Sequence, residues 1–322
     1  MKAVQLVAPQ QLKFVDLPAP VPTQGQVLVR MDYLAVCGSD LKFYDRRLPD
    51  VMYPMAAGRP CHECVGTVEV STVPQFKPGQ RVIALTQTGG LVEWSVLPAE
   101  LLVPLPESDI DPALWVLCQP MGTVLYAVHR IGSVLGKRVV VVGAGPIGLC
   151  FTDLMVRHGA RQVIVTDVHK YRLETASRLG ATHTIDASTE DVRQRVADIT
   201  GGSMADVSIE ACGLSETYQQ VFDVLRKQGT VAIFGVPHLE DTFALRWDNV
   251  YNKLPNIIVT NSAQAGERTS WVGMCVELVA RGRLDLSYLA THRFSWDEVP
   301  AAFDIYSTRK DGALKCLIHV RD

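Results

Sequence analysis

Residues Val139 to Gly148 read Val-Val-Val-Val-Gly-Ala-Gly-Pro-Ile-Gly, a wholly apolar run that enters a Gly-x-Gly-x-x-Gly turn. A helix-like pattern, Leu149 to His158, follows directly, and a second apolar segment, Gln162 to Thr166, closes on Asp167, nineteen residues past the last glycine. Strand, glycine turn, helix, strand and acid in this order predict a dinucleotide-binding unit. Gly143 permits the tight turn, Gly145 lets the backbone approach a pyrophosphate, and Gly148 lets helix and strand pack closely. Pro146 and Ile147 complete the turn, where the free N–H groups at the helix start face phosphate charge. An acid at position 167 accepts hydrogen bonds from an adenosine ribose and repels a 2′-phosphate, so the expected cofactor is NAD rather than NADP. Residues 138–156 do not read as a membrane span, because three glycines, a proline and Asp153 interrupt them and no aromatic belt flanks them.

The unit sits in a chain of 322 residues, enough for two domains with substantial cores. From about Thr123 to Ala263 strands and helices alternate, with strand candidates ending near Val142, Thr166, Ile185, Glu210, Phe234 and Thr260. Six such strands predict an α/β fold with a doubly wound, six-stranded parallel sheet, over domain 123–263. Residues 1–122 differ: short β-like runs (Val27 to Tyr33, Val65 to Val70, Arg81 to Leu85, Leu91 to Leu97), broken by proline-rich joints, predict an irregular β-rich domain. Residues 264–322, with helical patterns around Ser270 to Arg281 and Trp296 to Ser307 and a last strand Ala313 to Val320, are expected to return to and complete that domain.

With a formal net charge of −3 and no Lys/Arg cluster, the chain gives no sign of a nucleic-acid or membrane-surface partner. Met1-Lys2-Ala3-Val4 enters a strand-like segment without a cleavable signal pattern, and the eight cysteines follow no disulfide framework. A soluble, cytoplasmic protein is expected. Cys150, Cys212, Cys275 and Cys316 lie in apolar stretches and read as core residues, and Cys61 and Cys64 as packing residues.

Ahead of the nucleotide unit stand Cys37-Gly38-Ser39-Asp40 and Cys61-His62-Glu63-Cys64. Thiolate, imidazole and carboxylate are the ligand types of a catalytic zinc, although Cys37 and His62 are too far apart for a local ligand pattern. These segments, then Val65-Gly66-Thr67-Val68, Pro78 to Val82, the glycine turn, Asp206 to Gly213, Thr291 to Phe294 and Asp311 to Lys315, resemble the zinc-dependent medium-chain dehydrogenases, closest to the sorbitol, polyol and sugar-acid branch. The resemblance runs over nearly the whole chain in the right order. It implies a GroES-like catalytic β domain beside a Rossmann domain, and one catalytic Zn²⁺ held by Cys37 and His62, with Glu63 as third ligand or close neighbour. It implies Asp40 orienting His62 through its other ring nitrogen, Ser39 as first member of a proton relay, and Thr123 and Arg172 among the cofactor contacts.

Three departures from the family pattern bear on chemistry. Gln119 stands before Pro120 where the family has glutamate, cysteine or aspartate, so the fourth position falls to Gln119, to the adjacent Cys118 or to water. Lys42 stands where the family often has the histidine ending the relay; a protonated lysine relays poorly and suits an anchor for a cofactor phosphate or substrate carboxylate instead. The four-cysteine lobe for a structural zinc is missing, since Arg81 to Leu85 runs within a few residues into Gly89-Gly90-Leu91. The resemblance implies oxidation of a secondary alcohol, polyol or sugar-derived, to its ketone by hydride transfer to NAD⁺, with zinc as Lewis acid, in the crevice between the domains. Phe43, Tyr44, Tyr53 and Trp94 are candidate pocket residues, and Arg293 a substrate contact or structural ion pair. The rival readings are a zinc-free quinone or enoyl reductase of the same superfamily and a non-catalytic NAD-binding relative. A homodimer or homotetramer joined through an edge strand at Asn256 to Asn261 is expected.

Overall fold

A computed structural model describes residues 1–45, 49–237, 242–260 and 267–321. The chain divides into two compact units, Met1–Gly122 with Gln264–Asp322, and Thr123–Ala263.

In the first unit β1 (Lys2–Ala8) and β2 (Gln11–Asp16) form an antiparallel pair. The main sheet is built on β3 (Gln26–Ala35), which pairs antiparallel with both β4 (Glu63–Ser71) and β6 (Trp94–Pro98), while β5 (Arg81–Ala84) and β7 (Leu102–Pro104) extend the β4 side. Leu91 and Val92, expected within a strand, lie ahead of β6; they are buried against β1, where the Val4 N–H donates to the Leu91 carbonyl. A short helix α1 (Leu41–Tyr44) and a longer one, α2 (Cys118–Ile131), follow β3 and β7 respectively.

The second unit is a parallel sheet of β8 (Arg138–Val142), β9 (Gln162–Asp167), β10 (His183–Asp186), β11 (Ala205–Glu210), β12 (Leu225–Ile233) and β13 (Asn256–Val259). Their spatial order is β10-β9-β8-β11-β12-β13, so the strand order reverses at β8, where a doubly wound sheet opens its ligand crevice. The crossovers include α3 (Pro146–Arg157), α4 (Lys170–Arg178), α5 (Val192–Ile199), α6 (Ser215–Asp223) and α7 (Trp247–Lys253). A central strand covered on both faces must be apolar at every position, which is why Val139 to Val142 are all buried. The edge expected at Asn256 to Asn261 is β13, ending at Val259; Asn261 lies outside the described residues.

At the opposite ends of these strands Asp206 accepts four hydrogen bonds: from the Arg138 N–H, Nε and Nη2 at 2.8, 2.9 and 3.0 Å, and from Arg226 Nε at 2.6 Å. The Arg138 bonds outweigh burial and hold the Asp206 carboxyl well below the usual carboxylate range. Because its folded pKa is depressed, Asp206 stabilises the fold above about pH 4 and loses that contribution as pH falls below it. Asp206→Ala is therefore expected to cost about 2–3 kcal/mol in urea unfolding at pH 7. The gap to wild type should narrow below about pH 4, and a gap that does not vary with pH would contradict this.

The chain then returns to the first unit. After α8 (Glu267–Ala280), β14 (Ala290–Ser295) pairs parallel with β15 (Lys315–His319), α9 (Val299–Thr308) connects them, and β15 pairs antiparallel with β3. No helix of the described residues is long and apolar enough to cross a membrane.

Candidate metal centre and cofactor turn

Two short pieces of the first unit supply the candidate metal centre. Cys37 ends the stretch after β3 and precedes a 3-10 turn, Gly38–Asp40, that runs on into α1. His62 and Glu63 stand at the start of β4, which β3 holds in register. Ligand atoms of Cys37, His62 and Glu63 lie within 4.8 Å of one another, the single such cluster among the described residues. Cys118 is outside it, although buried at the start of α2. Gln119, next along that helix, is buried as well.

Asp40 sets the orientation of the imidazole. One carboxylate oxygen faces His62 Nδ1 at 3.2 Å and the other accepts from the Cys37 N–H at 2.9 Å. With Nδ1 engaged, Nε2 is the nitrogen left for a metal. Ser39 Oγ lies 3.5 Å from that Nε2. Burial opposes charge on His62, yet Asp40 and Cys37 outweigh it and hold its pKa well above the usual histidine value.

The surprise is Lys315, a fully buried lysine in β15. Its Nζ donates to both Glu63 oxygens at 2.6 Å and to the Val36 carbonyl at 3.2 Å. Burial pushes the Glu63 carboxyl up and disfavours the Lys315 ammonium, and each charge is what sustains the other. Glu63 is thus a paired carboxylate beside Cys37 and His62, and each oxygen keeps a second lone pair. Burial would also raise the Cys37 thiol, but Lys315 and His62 bring it down to about 6. A cysteine of that acidity is thiolate at neutral pH, the form that ligates metal. Thiolate, Nε2 and carboxylate, with a fixed imidazole, fit a catalytic zinc.

Lys315 was visible in the sequence as one cation in the otherwise apolar run Ala313 to Ile318, a pattern that demands a buried counter-charge, but its partner lies 252 residues away. Other expectations shift. Tyr44 is core, packed against Phe303 at 5.2 Å between ring centroids, and Tyr53 donates its hydroxyl to the Phe43 carbonyl. The Arg321 guanidinium covers the Trp94 ring at 3.9 Å, and Arg293 pairs with Asp111. Cys61 and Cys64 are buried, both facing Gly90.

The glycine turn of the second unit has the shape its sequence implies. Gly143 has φ +96°, and a Cβ there would lie 2.2 Å from Cys212 Sγ; Cys212, expected in the core, is half-exposed against the turn. A Cβ on Gly148 would lie 1.8 Å from the Gly143 carbonyl oxygen. At Gly145, which precedes α3, the nearest chain atom to a Cβ is Arg172 Nη1 at 3.9 Å, so that face is open for a phosphate. Pro146 and Ile147 form the first turn of α3. Asp167 Oδ2 accepts from the Ala144 N–H at 2.8 Å and Oδ1 from the His169 N–H at 2.9 Å, while Arg172 Nη1 stands 3.5 Å from Oδ2. Thr123 is buried in α2. Unforeseen was Glu210, buried at the end of β11. It accepts from the N–H groups of Cys212 and Gly213 at 2.8 Å, from Thr217 Oγ1 at 2.7 Å and from the Gly235 N–H at 3.1 Å, tying together the loops after β11 and β12.

Comparison with known proteins agrees in both units. Residues 23–107 match the family described as alcohol dehydrogenase GroES-like domain, and residues 146–279 the family described as zinc-binding dehydrogenase. The chain is 30% identical to an L-threonine 3-dehydrogenase of Chromobacterium violaceum, over 94% of this chain and 95% of that protein. Among solved structures it is similar to the alcohol dehydrogenase TADH from Thermus sp. ATN1 (TM-score 0.86, 24% identity, 100% of both chains). It is also similar to a putative zinc-binding dehydrogenase from Sinorhizobium meliloti 1021 bound to NADP (TM-score 0.85, 24% identity, 99% of both chains).

Proposed function

The chain belongs to the zinc-dependent medium-chain dehydrogenase/reductase superfamily, and from that premise we propose that it oxidises a secondary alcohol, polyol or sugar-derived, to the ketone with NAD⁺. The observation that carries this reading is the Cys37–His62–Glu63 cluster, in a chain whose other unit holds a complete dinucleotide turn. The same cluster speaks against a zinc-free reductase. L-Threonine, named in the Chromobacterium relative, is itself a secondary alcohol, which supports the reaction type.

Zinc would be held by Cys37 and His62, with Glu63 as third ligand or paired neighbour and Gln119 or water in the remaining position. When bound, zinc supplies a Lewis acid that acidifies a substrate hydroxyl, and NAD⁺ supplies the hydride acceptor. The chain's own residues do the rest. Asp40 fixes the imidazole, Ser39 Oγ accepts a hydrogen bond from the substrate hydroxyl and passes its own proton on to water as it receives the substrate's, and the carbinol carbon gives up hydride to become the ketone carbon. Gly145 and the start of α3 hold the pyrophosphate, with Thr123 among the cofactor contacts.

The preference for NAD⁺ rests on Asp167, whose carboxylate keeps lone pairs for ribose hydroxyls and repels a 2′-phosphate. Arg172 beside it would favour that phosphate once the acid is gone. Asp167→Ala is thus expected to lower kcat/KM with NAD⁺ on the order of tenfold and raise it with NADP⁺. Measuring both cofactors over a panel of secondary alcohols tests the whole reading: no oxidation by a zinc-loaded sample contradicts the function, and a wild-type preference for NADP⁺ contradicts the cofactor. A homodimer or homotetramer through β13, where Ile257 and Val259 are exposed, belongs to this proposal. So does a cytoplasmic location, supported by eight free cysteines.

A further inference from the structure

Resting on that reading, we propose that Lys42 selects the substrate: it binds an anionic group, a carboxylate or phosphate monoester, carried a few bonds from the carbinol carbon. Position comes first. The turn Gly38–Asp40 runs directly into α1, and residues three apart on such a turn are neighbours on one face. Ser39 presents its hydroxyl 3.5 Å from His62 Nε2, and Lys42 stands three residues further along the same turn and helix.

Charge is the second argument. Lys42 is half-buried and makes no hydrogen bond or ion pair with any described residue. Neither of the acids nearest in sequence makes an ion pair with it. Asp40 is spent on His62 and the Cys37 N–H. Asp45 accepts from Ser307 Oγ at 2.6 Å and from Gln10 Nε2 at 3.3 Å. A half-buried ammonium with no ion pair among the described residues, one turn from the hydroxyl-binding serine, is complementary to a substrate that brings its own negative charge. A neutral polyol would leave that ammonium to water alone.

The test compares propane-1,2-diol, lactate and propane-1,2-diol 1-phosphate, which share a carbinol and differ in charge. Binding is titrated by calorimetry to zinc-loaded protein saturated with NADH, which prevents turnover of an alcohol. At least one anion should bind wild type about tenfold or more tighter than the diol. Lys42→Gln should abolish that ratio and Lys42→Arg should keep it; the two anions separate carboxylate from phosphate. Equal affinities in wild type, binding of none of the three, or a ratio that survives Lys42→Gln overturns the proposal. So does a Lys42→Gln variant whose main defect is weaker NADH binding, which would give Lys42 to the cofactor. Failure of the parent reading shows separately, as wild-type protein that retains no zinc or binds no NADH.

Discussion

Lys315→Met is expected to destabilise the first unit by about 3–5 kcal/mol, because it leaves the Glu63 carboxylate buried and unpaired. Both oxygens of Glu63 take hydrogen bonds from Lys315, and Glu63 itself is closed to water that could replace the lost partner. The double variant Glu63→Leu with Lys315→Met should recover most of the loss, since an apolar pair of similar volume removes the buried charge altogether. Chemical unfolding at pH 7 reads both effects. The same substitution carries a second, chemical signature. The Cys37 thiol sits at about 6 against the pull of burial because Lys315 and His62 favour its thiolate. Without Lys315 that support falls, so in metal-stripped protein the pH midpoint of Cys37 alkylation should rise above 6. A single variant as stable as wild type, with an unshifted thiol midpoint, would show that the pair is not what holds this centre.

Gly148→Ala is the second large effect. The new methyl would stand 1.8 Å from the Gly143 carbonyl oxygen and 2.8 Å from its carbon, and backbone atoms cannot step aside as a flexible side chain can. Helix α3 must move off β8, with a stability loss of about 1–3 kcal/mol and a rise in the dissociation constant for NAD⁺ on the order of 100-fold. Gly145→Ala provides the contrast. Its methyl meets nothing in the chain closer than Arg172 at 3.9 Å, so stability should hold while NAD⁺ affinity falls, because the methyl occupies the face offered to phosphate. Equal behaviour of the two variants would contradict the assignment of separate packing and phosphate roles.

The second unit was legible because its signals are local. Val139 to Val142 is apolar at every position as a doubly covered strand must be, and the turn, helix and acid follow within about thirty residues. The metal centre was not local. Cys37 and His62 come together only because β3 and β4 pair, so residue types alone gave an ambiguous set and resemblance supplied the selection. Lys315 reaches the centre through β15, which returns from the far end of the chain to pair with β3. Nothing in its own neighbourhood names Glu63 as its partner. Cys212 was misread as core because its flanking residues are apolar, whereas it sits in the loop after β11, against Gly143. The aromatic residues expected to line a pocket were read by type alone, and tertiary contacts placed Tyr44 in the core and Arg321 over Trp94.

The central claim is that Cys37, His62 and Glu63 form a working catalytic zinc centre although Gln119 stands where a stronger ligand is usual. Elemental analysis of protein purified without added metal, beside a Cys37→Ser variant, tests it most directly. About one zinc per chain in wild type, lost in the folded variant, is the predicted result. Folded, NAD⁺-binding wild-type protein with near-zero zinc would contradict the claim, and would make a zinc-free reductase the better account of this chain.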